Sequence, residues 1–119
     1  MRRVLVTGGR SNLGEAIRNK FIKEGYEVWY TVSNKSKNDS DKAIAVDLRN
    51  EEKVKNAFSF LDSLDVLVNN AGIFTEGKQD SLPLSSFDEV FSLNVKGLFL
   101  VTRELLPLLK KSDGSIVNI

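Results

Sequence analysis

The sequence predicts an α/β protein in which a parallel sheet is covered by helices. Short apolar runs rich in valine alternate with amphipathic stretches of helical spacing, which is the pattern of strands and helices that follow one another along the chain. The first strand is expected over residues 3–7, where the run from Val4 to Val6 is apolar without alternation, as in a strand buried on both faces. The chain has 119 residues, 41% hydrophobic and 28% charged, which suits one ordered domain.

The first half of the chain continues with a helix, two strands and a link. Apolar residues at helical spacing predict a helix over 13–24, and Gly25 stands where a C-terminal cap belongs. A second strand is predicted over 27–31 and a third over 43–48. The segment 32–42 between them is polar and has no helical apolar stripe, so an irregular or barely helical link is expected there.

The second half predicts two helices and two strands. Asn50 is expected to cap a helix that runs to about Leu61, because acidic residues follow it in the first turn. A fourth strand is predicted over 65–69 and a fifth over 114–119. Between them lies the longest predicted helix, which a loop over 70–84 precedes.

The start of the longest helix is predicted from Ser86 and Glu89, which have the spacing of a capping box. Pro107 is expected to kink or loosen its last turn, since proline lacks the amide donor. Its predicted apolar stripe consists of Phe87, Val90, Phe91, Leu98, Val101, Leu105 and Leu106.

The residue types that are missing limit the chemistry. The sequence has no cysteine and no histidine, which excludes disulfides, thiolate nucleophiles and a Ser-His-Asp triad, and no metal site is expected. A net charge of +1 favours neither nucleic acid nor an anionic membrane as a partner. No stretch approaches the roughly 20 apolar residues of a membrane span, and the opening apolar run is too short for a signal peptide. A cytoplasmic location is therefore expected.

A glycine-rich turn joins the first strand to the first helix. It reads Thr-Gly-Gly-Arg-Ser-Asn-Leu-Gly over residues 7–14 and has the strand, turn and helix context that a dinucleotide fingerprint requires. Free amides and the positive end of the helix dipole suit a pyrophosphate, and a residue without a side chain lets the backbone approach it. The turn alone is also compatible with glycines that serve only the backbone conformation.

Amide side chains at two further places point to the same edge of the sheet. The fourth strand ends in Asn-Asn-Ala-Gly at 69–72, and core packing does not explain four small or amide residues there. This loop leaves the carboxyl edge beside the first strand, where ligands bind in open α/β sheets. Asn94 lies within a largely apolar helical stretch, where an amide is unfavourable without a partner. For Asn94 by itself, a structural amide that orders a neighbouring loop is the alternative.

Together these segments resemble the short-chain dehydrogenase/reductase family over essentially the whole chain. Five segments stand in the family's order and approximate spacing: residues 7–14, 46–48, 69–72, 93–95 and 114–119. The resemblance implies a Rossmann-like, doubly wound parallel sheet of about five strands in the order 3-2-1-4-5, truncated after the fifth. Residues 1–119 would then form one NAD(P)-binding domain, an incomplete domain of this family.

The resemblance also assigns candidate site residues. The turn residues are expected around the pyrophosphate, the pair after the third strand beside the adenine, and the residues after the fourth strand on the ribose side. Asn94 matches the asparagine that supports a water-mediated proton relay behind the family's catalytic lysine, and is the only catalytic residue expected here. The cofactor-binding positions in these three places are Gly8, Arg10, Ser11, Asn12, Leu13, Gly14, Asp47, Leu48, Asn70, Ala71 and Gly72.

The chain departs from the family pattern in two respects. Asn12 replaces the family's usual middle glycine and brings bulk towards the phosphates, although asparagine tolerates left-handed backbone angles. The family's catalytic serine and its Tyr-x-x-x-Lys pair would all follow Ile119. Within the chain, Tyr26 is followed four positions later by Tyr30, and Tyr30 by Asn34. Because hydride transfer then lacks its proton partner, this polypeptide alone is predicted to have no dehydrogenase activity.

The segment after the second strand favours NADP(H) over NAD(H). NAD enzymes of this kind usually carry an acidic residue there to bind the ribose diol, whereas this chain has Ser33 and Asn34, followed by Lys35. Arg10 and Lys35 are therefore candidates to meet a 2′-phosphate, and the region around Ser33 and Asn34 is included in the predicted cofactor site. The alternative for both cations is a solvated surface position.

The end of the predicted sheet suggests a protein partner. The fifth strand would be an open edge, and the long helix would present Phe91, Leu98 and Phe99 with few covering elements. A homo-oligomer, or a complex with a complementing carboxyl-terminal half, is expected. Three functions stay open: the NADP(H)-binding portion of an oxidoreductase, a non-catalytic NADP(H)-binding sensor or partner-binding module, and a scaffold whose turn binds nothing.

Overall fold

The computed structural model, which describes residues 1–74 and 76–119, contains a five-stranded sheet. All four neighbouring pairs of strands are parallel, and their order across the sheet is 3-2-1-4-5, so the predicted fold class and strand order are confirmed. The strands are β1 (Arg3–Val6), β2 (Glu27–Val32), β3 (Ala43–Ala45), β4 (Val66–Asn69) and β5 (Ser115–Asn118).

Helices cover both faces of the sheet. The polar link between β2 and β3 contains no helix, as the sequence predicts. None of the helices in the described part of the chain is both long and apolar enough to cross a membrane. The helical segments are α1 (Asn12–Lys23), α2 (Glu51–Ala57), α3 (Leu84–Phe91), a π-helical turn (Ser92–Gly97) and α4 (Leu98–Ser112).

Side chains and a glycine define the ends of the first two helices. The hydroxyl of Ser11 accepts the N–H of Gly14 at the start of α1, and the side-chain oxygen of Asn50 accepts the N–H of Lys53 at the start of α2. Each contact satisfies one of the backbone donors that a helix leaves free at its first turn. Gly25 follows α1 with a φ of +88°, a conformation that favours glycine. The predicted caps at Gly25 and Asn50 are confirmed.

Two elements are shorter than the apolar pattern predicts. α2 ends at Ala57 rather than near Leu61, and β3 ends at Ala45 rather than at Leu48. Leu61 and Leu48 are nevertheless buried, as is Phe58 directly after α2. The apolar pattern therefore predicted the burial of these side chains correctly. The regular helix and strand end before the last apolar residues of each pattern.

The predicted capping box at Ser86 is wrong. α3 begins two residues earlier, at Leu84, because Pro83 takes an extended conformation as the residue before the helix and its carbonyl accepts the N–H of Ser86 at 3.0 Å. Ser86 therefore lies inside the first turn. Pro107 lies within α4, which continues past it to Ser112. The departure from α-helical geometry occurs earlier, in the π-helical turn, which the sequence analysis did not predict.

The hydrophobic core consists of one cluster on each face of the sheet. Successive strand residues alternate between the clusters, so Leu5 packs with α2 and α4, whereas Val4 and Val6 pack towards α1. Only Val101 and Leu105 of the predicted apolar stripe are core residues: Leu106 is exposed, and Val90 and Leu98 are partly buried. Phe87 and Phe91 are half exposed and stack on each other, with ring centroids 5.5 Å apart. The residues of α4 that are buried are Leu100, Val101, Leu105 and Leu109.

Candidate functional site

Two buried threonine hydroxyls hold the backbone where the central strands end. Thr7, directly after β1, accepts the N–H groups of Asn70 and Ala71, both at 3.0 Å. Thr31, in β2, accepts the N–H of Gly8 at 3.0 Å. Both threonines are only 2% exposed, so these bonds are shielded from water. The sequence analysis gave neither threonine a role. A hydroxyl at the end of a buried apolar strand could have indicated one, because a buried hydroxyl needs a hydrogen-bond partner.

The Asn70 side chain joins the loop after β4 to the glycine turn. Its amide nitrogen donates to the carbonyl oxygen of Gly8 at 3.0 Å and to the hydroxyl of Ser11 at 3.2 Å. The same hydroxyl accepts the N–H of Gly14. Asn70, Ser11, Gly8 and Gly14 are thus brought together by the fold, as the sequence predicts.

The glycines of the turn are required by close contacts. Gly8 has a φ of +63°, and a Cβ there would lie 2.8 Å from the Cα of Ala71. A Cβ on Gly14 would collide with the carbonyl oxygen of Gly8. The loop after β4 therefore packs directly on the turn after β1, and a larger residue at either position would separate them.

A cleft of about 750 Å³ opens beyond the carboxyl ends of β1 to β4. This volume lies within the usual range of small-molecule sites. Nine of its lining residues are not among the site residues that the sequence analysis proposed: Thr31, Val32, Ala45, Val46, Arg49, Lys53, Ile73, Glu89 and Leu93. The lining residues that the sequence analysis proposed are Gly8, Ser33, Asn34, Asp47, Leu48, Ala71 and Gly72.

The other proposed residues are not part of the cleft wall. Arg10 binds outside it, where its guanidinium donates to Asp39 and to the carbonyl of Asn34. Among the described residues, the N–H groups of Asn12 and Leu13 at the start of α1 have no hydrogen-bond partner. Those that lie in the turn, the loop and the π-helical turn without lining the cleft are Arg10, Ser11, Asn12, Leu13, Gly14, Asn70 and Asn94.

Asp47 and Arg49 form an ion pair in the cleft wall. The Arg49 side chain approaches the Asp47 carboxylate at 3.0 Å, and the Arg49 backbone N–H donates to it at 3.1 Å. The guanidinium, followed by this N–H, lowers the pKa of Asp47 below its usual value. The carboxylate is therefore ionised at neutral pH and its charge is balanced by Arg49.

Asn94 clamps the loop that follows β4. Its side-chain oxygen accepts the N–H of Ile73 and its nitrogen donates to the Ile73 carbonyl, both at 2.8 Å. A Cβ on Gly72 would lie 3.2 Å from the same side-chain oxygen. The contacts of Asn94 are therefore those of a structural amide that orders a neighbouring loop. Asn94 lies in the π-helical turn, and such turns are frequent at functional sites.

Asn69 connects the ends of β4 and β5. Its side-chain nitrogen donates to the side-chain oxygen of Asn118 at 2.9 Å and to the hydroxyl of Thr102 in α4 at 3.1 Å. Asn69 is 4% exposed, and its own side-chain oxygen has no partner among the described residues. The residue therefore ties the sheet to α4 next to the cleft loop.

The fold is of the Rossmann-like class, and the cleft lies at the carboxyl edge of the sheet, where ligands bind in proteins of this class. The short chain dehydrogenase family model matches residues 2–119. The chain belongs to the short-chain dehydrogenase/reductase family, whose members bind a nicotinamide dinucleotide.

Individual relatives agree with this assignment. The serine 3-dehydrogenase of Rhizobium radiobacter is 31% identical over 98% of this chain and 52% of its own length. The ligand-free aldohexose dehydrogenase of Thermoplasma acidophilum superposes with a TM-score of 0.89 at 31% identity, over 98% of this chain and 48% of that one. A short-chain dehydrogenase of Leptospira borgpetersenii with bound NAD⁺ gives a TM-score of 0.88 at 26% identity, over 98% and 50%. This chain thus spans about half the length of the relatives that it matches.

Proposed function

We propose that this chain is the NADP(H)-binding portion of a short-chain dehydrogenase/reductase that acts on a carbonyl or alcohol substrate. The observation that carries the proposal is the cleft of about 750 Å³, to which the glycine turn contributes Gly8 and the loop after β4 contributes Ala71 and Gly72. These are the positions at which this family holds its cofactor.

The residues fit a dinucleotide. The N–H groups of Asn12 and Leu13 at the start of α1, which have no partner in the described part of the chain, suit a pyrophosphate. Gly8 presents backbone without a side chain. Asp47 and Leu48 line the cleft where the adenine is expected, and Ala71 and Gly72 line it on the ribose side. The nicotinamide, when bound, supplies hydride donation or acceptance, while these residues hold and orient it.

The preference for NADP(H) rests on the rim of the cleft at the end of β2. Ser33 and Asn34 line the cleft there and offer no carboxylate to a ribose diol. Arg10 donates to the Asn34 carbonyl at 2.5 Å, so a guanidinium lies next to this rim. Lys35 is exposed and follows directly, which adds a second cation. Both cations favour a 2′-phosphate at this position.

The 119-residue polypeptide is proposed to bind the cofactor without turning over substrate. It contains no Tyr-x-x-x-Lys, and Asn94, which matches the family's relay asparagine, is engaged with Ile73. In the family the tyrosine moves the proton and the lysine lowers its pKa. Incubation of the purified polypeptide with NADPH and a panel of carbonyl compounds should give no NADPH oxidation above the background rate, and measurable turnover would overturn this part of the proposal.

A protein partner is proposed for two exposed features, the rings of Phe87, Phe91 and Phe99 and the strand edge of β5. The three rings are about half exposed, and all four residues of β5 are exposed. Exposed aromatic side chains, and a strand edge that has no second partner among the described strands, both favour association. Light scattering at increasing concentration should show a second copy or larger species, whereas a monomer at every concentration would contradict it.

Cofactor titration with a matched pair of glycine variants tests the main proposal. Calorimetry should detect binding of NADPH, and NADH should bind more weakly. Gly8→Ala should weaken NADPH binding by about tenfold or more, because it combines a left-handed φ with a collision against Ala71. Gly25→Ala is the control, since Gly25 also has a positive φ but a Cβ there meets nothing within 4 Å and it does not line the cleft.

Each outcome of this titration has a defined meaning. NADPH binding that is weakened by Gly8→Ala and unchanged by Gly25→Ala supports the site. Equal binding of NADPH and NADH would contradict the proposed preference for NADP(H) but would still support the proposed cofactor site. If neither cofactor gives a heat of binding, the proposed cofactor-binding function is wrong, and only the family membership remains.

A further inference from the structure

An ion pair with Asp39 at the cleft rim occupies most of the N–H donors of Arg10. One terminal nitrogen of its guanidinium, Nη2, donates both to the Asp39 carboxylate and to the Asn34 carbonyl. Its Nε lies 3.4 Å from the second carboxylate oxygen of Asp39. Both hydrogens of Nη2 are therefore in use, and Nη1 is without a partner among the described residues.

Asp39 is held in place from its other side. The backbone N–H of Ser36 donates to the carboxylate at 2.8 Å, and the hydroxyl of Tyr30 lies 3.4 Å from it. The Asp39 side chain is 8% exposed, whereas that of Arg10 is 47% exposed. Arg10, followed by the Ser36 N–H, lowers the pKa of Asp39 to about 2, so the carboxylate is ionised at neutral pH. Asp39 thus stays near the rim even if Arg10 turns away.

We propose that Asp39 is a specificity-determining residue that weakens recognition of a 2′-phosphate by competing with it for Arg10. The inference rests on the proposed NADP(H) site. A guanidinium binds a phosphate best through two parallel N–H groups on one edge. Nη2 belongs to both edges of the fork that can make such a pair, and both of its hydrogens are occupied by Asp39 and Asn34. The phosphate is left with the single Nη1, which cannot make the paired contact.

The competition gives a residue outside the family motifs, Asp39, a part in the chain's choice of cofactor. Asn34, whose carbonyl shares Nη2 with Asp39, lines the cleft, so the ion pair adjoins the position expected for the 2′-hydroxyl or 2′-phosphate. Asp39 itself lies in the polar link between β2 and β3. Removal of its charge frees the Nε and Nη2 edge of Arg10 for a phosphate. A cofactor without that phosphate gains nothing from the change.

The test is cofactor binding by Asp39→Asn, which removes the charge and keeps one side-chain oxygen to accept the Ser36 N–H. Kd values for NADPH and for NADH are measured by calorimetry on the full 119-residue chain. Asp39→Asn should tighten NADPH binding by at least about fivefold, a common size for coupling between two ligands, and change NADH binding less than about twofold. Asp39→Ser, which removes the carboxylate by a different side chain, should act in the same direction.

Two controls separate this competition from a general change of charge. Asp41→Asn makes the same charge change two residues further along the link, at an exposed position, and should leave both Kd values within about twofold. In the background of Arg10→Met, Asp39→Asn should no longer tighten NADPH binding, because the competed group is gone. Circular dichroism of each variant checks that the fold is retained.

The outcomes distinguish this inference from the proposed function. If the unmodified chain binds NADPH and Asp39→Asn and Asp39→Ser leave its Kd unchanged or raise it, the competition is wrong and the NADP(H) site stands. A gain that persists with Arg10→Met, or that Asp41→Asn reproduces, also overturns it. If neither the unmodified chain nor the Asp39 variants bind NADPH or NADH, the proposed function fails and the inference fails with it.

Discussion

Strands β4 and β5 lie side by side, end in the same Val-Asn pair and differ completely in burial. All four residues of β4 are buried, and all four residues of β5 are exposed. Leu67 and its register partner Ile116 are 0% and 39% exposed, and Val68 and Val117 are 2% and 44% exposed. β4 has strands on both sides and α4 above it, whereas β5 has only β4 as a neighbour among the described strands. Equal strand patterns thus yield unequal burial.

The largest predicted difference between the two strands concerns Leu67 and Ile116. Leu67→Ala should lower the free energy of unfolding by about 3 kcal/mol, because it leaves a cavity between the sheet and the helices. Ile116→Ala, at the paired position, should cost less than about 1 kcal/mol because its side chain is already partly in water. Urea denaturation measures both. Similar losses would mean that another part of the protein covers β5 in solution.

The next largest effect is expected from the asparagines that end the two strands. Asn69→Ala removes the donor to Asn118 and to Thr102 at a buried position and should cost about 1–2 kcal/mol. Asn118→Ala removes one of these bonds at an exposed position and should cost under about 1 kcal/mol. Urea denaturation of both single variants and the double variant gives their coupling. A larger loss of unfolding free energy from Asn118→Ala than from Asn69→Ala would contradict the greater burial of Asn69 in the structure.

The smallest effect on stability is expected at the charged pair that joins β1 to β2. It is compared with the neutral asparagine pair that joins β4 to β5. Arg3 and Glu27 are register partners joined by an ion pair at 2.6 Å, and Arg3 holds the pKa of Glu27 below its ordinary value of 4.5. A carboxylate whose folded pKa is lowered stabilises the fold above its unfolded pKa. That contribution is lost as the pH falls through the lower folded value.

Glu27→Gln should therefore remove part of the acid dependence of stability below about pH 4.5, with a cost at neutral pH under about 1 kcal/mol. Asn118→Ala should leave the pH dependence as it is, since the pair of Asn69 and Asn118 does not titrate. Denaturation curves at several pH values between 3 and 7 compare them. An unchanged acid dependence in Glu27→Gln would show that other carboxylates carry it.

Much of the fold was predictable because its signals are local. The five strands, the glycine turn, the cap at Asn50 and the end of the first helix at Gly25 are confirmed. The strand order, which the family resemblance implied, is confirmed as well. The errors arose where a local signal met a competing one. Ser86 has the spacing of a capping box, but Pro83 is already extended and starts the helix earlier. The apolar residues Leu48 and Leu61 are buried outside the regular elements that their pattern suggested.

The candidate site was predictable only in part. Seven proposed residues line the cleft because they belong to contiguous motifs at strand ends, where the sequence carries a local signature. Arg49, Lys53 and Glu89 were missed because they lie outside the contiguous motifs, and they reach the cleft from the turn after β3, from α2 and from α3. The engagement of Arg10 by Asp39, 29 residues away in sequence, depends on how the polar link folds back.

The sequence by itself determined the class of fold, the position of the glycine turn and the exclusion of histidine and cysteine chemistry, because periodicity, glycine placement and composition act over a few residues. The open edge at β5 was expected, and only the tertiary structure decided that all four of its residues are exposed, that Asn94 holds the loop at Ile73, and that Arg10 is bound by a carboxylate. These features depend on distances between segments far apart in the chain. The order of strands and the path of the links set those distances, and they leave no periodic trace in the sequence.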